Sequence, residues 1–334
     1  MIDPERITDA QSLLARHFGP TRIARAASLS SPDHDVFLKI ETELPTGSFK
    51  VRGAIYSLSV NIARRAIAEV VCASTGNHGA AVAYAAGLLG VQATIFLPIN
   101  PNPVKAARIR ELGAQRVESG VDLSAAIDAA AEYAARQGAF FLHDAIDPDV
   151  PVGTATIGAE IVDQLTEVDV IYVPMGDTAL IRGVASAAKQ RKPSVVIIGV
   201  VAERAPAYLL SWQKARGAES FTNRTEGLGL RADAVVETAT CDTIADGLAI
   251  RRPLAANVAS IRKLVDDVVM VSEAEMMAAI QHLYAHERVI AEPAGAAATA
   301  ALLKNPWPAK TSVVLVTGGN IAPDISPVTR GLSP

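Results

Sequence analysis

Residues 69–98, EVVCASTGNHGAAVAYAAGLLGVQATIFLP, run from a short β-branched segment through a glycine-containing turn and an alanine-rich stretch closed by Gly90 to a second β-branched segment. Strand, helix and strand in that order form the repeat of a parallel sheet, and the strand runs lack polar alternation, which marks them as buried on both faces. The pattern continues outward. VKAARIRELG (104–113), RVES (116–119), LSAAIDAAAEYAARQG (123–138) and AFFLH (139–143) complete one alternating set. Gly113 and Gly138, like Gly90, stand just past a helical segment, where a left-handed residue ends a helix.

The loop DAIDPDVPVG (144–153), with its two prolines and three aspartates, reads as a domain crossing. Beyond it, VDVIYVP (168–174), SVVIIGVV (194–201), AVVET (234–238), VVMV (268–271) and TSVVLVTGG (311–319) read as strands, and Ser272 with Glu275 forms a capping-box pattern ahead of a helix. The expected fold class is α/β, with two doubly wound, mainly parallel-sheet domains. A smaller domain over 51–147 is inserted into a larger one made of 1–50 plus 148–334.

The 334 residues are 50% apolar and 20% charged, enough for a substantial core, and the net charge of −4 offers no bulk attraction to nucleic acid or an anionic membrane. Two cysteines, Cys72 and Cys241, without a CxxC pair suggest neither a disulfide framework nor structural zinc. The first residues, MIDPERITDAQSLLARHFG, are charged from position 3 and carry no apolar leader, and no charge-free stretch reaches bilayer length. A cytoplasmic protein with a small-molecule ligand is expected.

Ligands of open α/β sheets bind at the carboxyl ends of strands, and three unusual loops lie there: STGNHG (74–79), MGDTAL (175–180) and TGGN (317–320). The first two place backbone amides at helix starts, an arrangement that holds carboxylate or phosphate, although a tight turn without a ligand explains the first equally well. Asp177 opposes a phosphate in the second loop unless it points away or meets a cation such as Arg182. Neither loop is a Walker motif, and no GxGxxG opens the first β–α turn. Lys50, in LPTGSFKVRGA (44–54), is either a surface lysine paired with Glu41 or Glu43, or an amine that forms a Schiff base with a phosphorylated aldehyde such as pyridoxal 5′-phosphate.

LPTGSFKVRGA, STGNHG and TGGN, in this order, resemble the fold-type II pyridoxal-phosphate enzymes (the tryptophan synthase β superfamily), specifically the threonine/serine dehydratase and serine racemase branch, from about residue 20 to residue 322. The resemblance implies that Lys50 carries the cofactor and then takes the substrate Cα proton, with Phe49 packed beside the ring and Ser48 orienting the lysine. It implies that Ser74, Thr75, Gly76, Asn77 and His78 hold the substrate carboxylate and that Asn77 also reaches the cofactor 3-hydroxyl. Gly176, Asp177, Thr178, Ala179 and Leu180 fall on the phosphate loop, Thr317 on the partner of the pyridine nitrogen, and Glu292 on an acidic residue beside the ring. His78 receives no acid/base role.

The implied reaction is elimination of water from an L-β-hydroxy amino acid such as threonine or serine, giving a 2-oxo acid and ammonia. Racemase or β-replacement chemistry on the same scaffold, or a catalytically silent binding protein, is the alternative. Where a racemase has serine as its second acid/base, this chain has Thr75, which ranks dehydration first. The phosphate loop departs from the family's glycine tetrad, leaving Thr178 with a hydroxyl to donate. The family's divalent-cation positions fall on Val201 and Ala207, with Glu203 nearby, so no metal site is expected. No regulatory domain is expected after TGGN, and a homodimer follows from the resemblance alone.

Overall fold

The computed structural model describes residues 1–74, 76–100, 103–219, 235–323 and 325. The chain opens with α1 (Pro4–Leu14), β1 (Ile23–Arg25), β2 (Asp35–Ile40) and α2 (Lys50–Arg64). It continues through β3 (Glu69–Ala73), α3 (Asn77–Leu89), β4 (Gln92–Leu97), α4 (Pro103–Glu111), β5 (Gln115–Glu118), α5 (Leu123–Gln137) and β6 (Phe140–Phe141). Then follow α6 (Val150–Gln164), β7 (Val170–Pro174), α7 (Ala179–Arg191), β8 (Val196–Ala202), α8 (Ala207–Glu219), α9 (Ala255–Leu264), β9 (Asp267–Val271), α10 (Glu273–Glu287), α11 (Pro293–Lys304) and β10 (Thr311–Val316).

Two sheets form. One has the order β5-β4-β3-β6 and is parallel throughout; Val71 lies opposite Thr94 and Cys72 opposite Ile95. Its two faces are both covered, as the unalternating sequence requires: Cys72, Ile95 and Leu97 pack with Ala81 and Ala85 of α3, while Val71 and Phe96 pack with Ala130 and Ala134 of α5. The other sheet has the order β1-β2-β10-β7-β8-β9, parallel except where β1 meets β2. Tyr172, Val200 and Val314 face Ile280 of α10 and Ala297 of α11, and Ile171, Val173 and Leu315 face Val184 of α7 and Trp212 of α8.

Local signals act where the sequence places them. Gly90, Gly113 and Gly138 all take positive φ, and Ser272 and Glu275 exchange both capping-box hydrogen bonds at the start of α10. The strand expected over 234–238 is not formed by its described residues. The Val236 N–H is taken instead by the Ser211 hydroxyl at 2.9 Å, and the Thr238 N–H by the Arg251 carbonyl at 3.2 Å, which leaves β9 on the sheet edge. Conversely, β1 and β2 form without having been expected. No helix among the described residues is long and apolar enough to cross a membrane.

A buried ionic cluster ties β2 to α2 and α6. The Lys39 amine donates to Glu160 at 2.6 Å and to the Thr21 carbonyl at 2.8 Å. The Arg52 guanidinium donates to Glu41 at 2.8 and 3.0 Å and to Glu160 at 2.5 and 3.0 Å. Two cations therefore meet two carboxylates almost out of contact with water, two residues beyond Lys50.

Candidate active site

Lys50 is the first residue of α2, and the backbone that delivers it is zipped to the chain leaving β10. Ser48 forms an antiparallel bridge with Gly318, the Phe49 N–H donates to the Thr317 carbonyl at 3.0 Å, and the Gly319 N–H donates to the Gly47 carbonyl at 2.9 Å. Gly47 sits at φ +71°, and a Cβ there would fall 2.7 Å from Asn320 Oδ1, so the crossing of the two motifs requires glycine.

The Lys50 amine does not reach Glu41 or Glu43, which pair with Arg52 and Arg22. It lies between two strand-end loops, 2.5 Å from Asp144 Oδ2 just past β6 and 2.7 Å from Asp177 Oδ2 just past β7. Strand ends of both sheets thus converge on one nitrogen. Only 13% of its side chain is exposed, and the Phe49 ring centroid lies 5.3 Å from it. The cation that meets Asp177 is therefore Lys50 and not Arg182, whose Nε donates to Thr178 Oγ1 at 3.1 Å. Thr178 accepts in that contact, which leaves its own O–H free to donate elsewhere.

Burial disfavours charge on all of these groups, and the ion pairs decide which keep it. Burial works to lower the Lys50 amine, but Asp144 and then Asp177 outweigh it and hold the amine above the usual lysine range. Burial pushes the Asp144 carboxyl up, and the neighbouring His78 and then Lys50 bring it well below the usual carboxylate range. Burial, followed by the charge of Asp144, raises Asp177. Burial also lowers His78, so the imidazole stands neutral, with Nδ1 3.7 Å from Asp144 and Nε2 3.1 Å from the Leu142 carbonyl.

Two helix N-termini meet this cluster. Helix α3 starts after Gly76 with no side-chain cap, and its first residue, Asn77, donates to Glu292 at 2.5 Å and accepts from Asn320 at 2.7 Å. Helix α7 starts after Thr178, which holds φ +76° without capping the helix; the Asp177 carboxylate accepts from the Ala179 N–H at 2.8 Å. Gly176 packs so closely on Gly247 that a Cβ would fall 2.0 Å from its carbonyl oxygen. The Ser48 hydroxyl, fully buried, has no hydrogen-bond partner among the described residues.

The structure thus brings Lys50 and Asp177 into contact, joins Asn77 to Glu292, and sets Ser48, Phe49 and Thr317 on one crossing. Ser74 leads into α3, its hydroxyl accepting from the Gly76 N–H at 3.2 Å, while Leu180 packs into the core behind the α7 start. Thr75 lies outside the described residues. Asp144 and Asn320 were not singled out by sequence reasoning. Asn320 closes the TGGN loop that the strand-end rule did find, and Asp144 opens the loop after AFFLH that was read only as a domain crossing. A groove of about 400 Å³ opens beside the crossing, lined in part by Arg22, Thr42, Gly47, Arg288, Gly319 and Asn320, and Lys50 is not among its lining residues.

Residues 14–318 match the family model described as pyridoxal-phosphate dependent enzyme. The chain belongs to this family. Among members, it is similar to the L-threonine ammonia-lyase of Thermotoga maritima, with 36% identity over 332 residues covering 99% of this chain and 78% of that protein. It is also similar to the catabolic L-threonine dehydratase TdcB of Escherichia coli, with 32% identity covering 97% of this chain and 94% of that one. The maize serine racemase structure superposes with a TM-score of 0.85 at 28% identity, covering 96% of this chain and 94% of that chain. A processed form of threonine deaminase isoform 2 from Solanum lycopersicum does so with 0.82 at 27%, covering 96% and 86%.

Pyridoxal phosphate is accordingly this pyridoxal-phosphate enzyme's cofactor, and the residues present fit it: a shielded lysine, an unpartnered buried hydroxyl two residues before it, and an α7 N-terminus approached through a position where only glycine fits. Gly176→Ala is expected to displace the loop from Gly247, at the 1–3 kcal/mol typical of overpacking, about tenfold or more in cofactor affinity. Fluorescence titration of the cofactor together with a thermal melt reads this; unchanged affinity would show that the loop does not shape the cofactor site.

Proposed function

We propose that the chain is an ammonia-lyase that eliminates water from an L-β-hydroxy amino acid such as threonine or serine, leaving a 2-oxo acid and ammonia. Membership of the family and the similarity to threonine ammonia-lyases along nearly the whole chain support this reading. The observation that carries it is the Lys50 amine, shielded from water and held where the strand ends of both sheets meet.

When bound, pyridoxal phosphate supplies an electron-withdrawing ring in conjugation with the substrate nitrogen, which acidifies the Cα–H bond. The chain does the rest. Lys50 Nζ takes the Cα proton. The α3 start, from Ser74 through Thr75, Gly76 and Asn77 to His78, binds the substrate carboxylate with backbone amides and the positive end of the helix dipole. Asn77, fixed from two sides by Glu292 and Asn320, orients the cofactor through its side chain. Gly176 to Leu180 hold the phosphate at the α7 start, and Phe49 packs beside the ring. Thr317 presents a hydroxyl, not a carboxylate, to the ring nitrogen; a hydroxyl does not hold that nitrogen protonated, so loss of the β-substituent outcompetes transamination. The two sheets are read as a smaller domain over 51–147 and a larger one of 1–50 plus 148–334, closing over substrate.

Purified protein supplied with L-threonine, L-serine, 3-hydroxyaspartate or phenylserine is expected to release ammonia and 2-oxo acid in equal amounts from at least one of them. Conversion of the L to the D isomer without ammonia would overturn dehydration in favour of racemisation. A product formed only with an added nucleophile would favour replacement chemistry.

A further inference from the structure

We propose that Asp144 and Asp177 are positioning residues that set the protonation state of the Lys50 amine, holding it as an ammonium in the cofactor-free protein. This rests on Lys50 being the reactive amine of the proposed function, and extends it to how that amine is kept and released. The geometry is specific. Two carboxylate oxygens from different sheets lie 2.5 and 2.7 Å from one nitrogen, within the range of charge-assisted hydrogen bonds.

Among the described residues only Lys50 donates a side-chain hydrogen bond to both carboxylates, while the Arg182 charge acts on Asp177 and Asp144 without a hydrogen bond to either. His78 on α3, lowered by its burial, has Nδ1 3.7 Å from the same Asp144 oxygen that Lys50 contacts, and His143 Nδ1 lies 3.7 Å from the other Asp144 oxygen. Cys72 on β3 is buried and kept as a thiol by that burial and by Asp144. Arg182 on α7 spends its guanidinium on Thr178 and the Ala145 carbonyl, and Tyr208 on α8 hydrogen-bonds to the Leu254 N–H and Asn257. Two carboxyl groups therefore face one amine, and the amine supplies the positive charge between them.

An ammonium has no lone pair. To condense with an aldehyde, Nζ first gives up a proton; its lone pair then forms a carbon–nitrogen bond, and the aldehyde oxygen leaves as one water. Each unit by which the carboxylates raise the amine's pKa cuts the reactive fraction about tenfold at a fixed pH below it. The pair thus restrains Lys50 from reacting with stray aldehydes and makes cofactor capture rise with pH. Burial alone would do the opposite, lowering the pKa and leaving a free, reactive amine.

The test uses the full-length protein freed of cofactor and the amine reagent trinitrobenzenesulfonate, from about pH 7 to about pH 11, a range that brackets the ordinary lysine pKa. Labelling is followed by peptide mass spectrometry at Lys50 and at Lys310, an exposed lysine. A lysine that is merely buried labels slowly, with a midpoint at or below that of Lys310. The expected result is a Lys50 midpoint above that of Lys310, and a fall of about one pH unit or more in Asp144→Asn/Asp177→Asn, equal to about a tenfold gain in labelling near neutral pH. A wild-type Lys50 midpoint at or below that of Lys310 overturns the proposal, and this reading needs no variant to fold. In a variant shown by its melt to be folded, an unmoved midpoint also overturns it. Borohydride fixation of pyridoxal 5′-phosphate to the Lys50 peptide is scored separately: its absence together with a raised midpoint removes the functional reading and leaves the charge assignment standing.

Discussion

Lys50→Ala is expected to abolish the violet-region absorbance that borohydride removes from the loaded protein and to lower turnover by about 10⁴-fold or more, because the variant lacks both the amine that binds the cofactor covalently and the base that takes the Cα proton. The substitution also strips Asp144 and Asp177 of their shared cation, so a loss of activity could be charged to local rearrangement. Lys50→Arg separates the two effects. A guanidinium keeps a positive charge between the carboxylates yet forms no Schiff base, being protonated at all working pH. The arginine variant should therefore melt close to the parent and remain inactive and colourless. Undiminished ammonia release by the alanine variant would end the enzymatic reading centred on this residue.

How much of this was legible in the sequence depends on which physical rule each segment obeys. The parallel strands β3, β4, β7, β8 and β10 are apolar runs between turn residues, and burial on both faces is the only environment that suits them, while β9, also an apolar run, sits at the sheet edge with Met270 exposed. The α3 and α7 starts were readable because their loops hold glycine and small residues directly after strands, and Lys50 was readable from its LPTGSFKVRGA setting and the family resemblance it carries. β2 escaped because DVFLKI carries Lys39, and a lysine ordinarily marks a solvent-facing position; here its amine is consumed by Glu160 and the Thr21 carbonyl in the interior. Residues 235–238 failed in the other direction. Their β-branched composition suits a strand, but side-chain and backbone partners outside the sheet took their N–H groups. Asp177 was marked as an obstacle to a phosphate unless it pointed away or met a cation; the cation named, Arg182, is not its partner, which is Lys50, since contacts between loops far apart in sequence have no local signature.

The ionic cluster behind β2 gives the second large effect, because it fixes the helix that carries Lys50. Arg52→Met removes one of two cations from a site holding Glu41 and Glu160, leaving Lys39 to serve both carboxylates in a nearly dry interior. Breaking a buried ionic group from one side costs about 3–5 kcal/mol, and that loss is expected in denaturant unfolding at neutral pH. Its pH dependence follows from Glu160, whose burial raises its carboxyl but whose pairing, to Arg52 first and then Lys39, brings it below the ordinary glutamate range. A depressed folded-state pKa contributes stability that is complete above the unfolded value, about 4.3, and is lost as the pH falls through the folded one. The gap between parent and Arg52→Met should accordingly be widest near neutrality and narrow in acid, where a protonated Glu160 no longer needs a cation. Arg52→Met/Glu160→Met, which leaves Lys39 facing Glu41 alone, should recover a large part of the loss. A single-variant cost below about 1 kcal/mol, the size expected of an exposed pair, would mean that α2 is held by its apolar contacts and that the cluster is not its anchor.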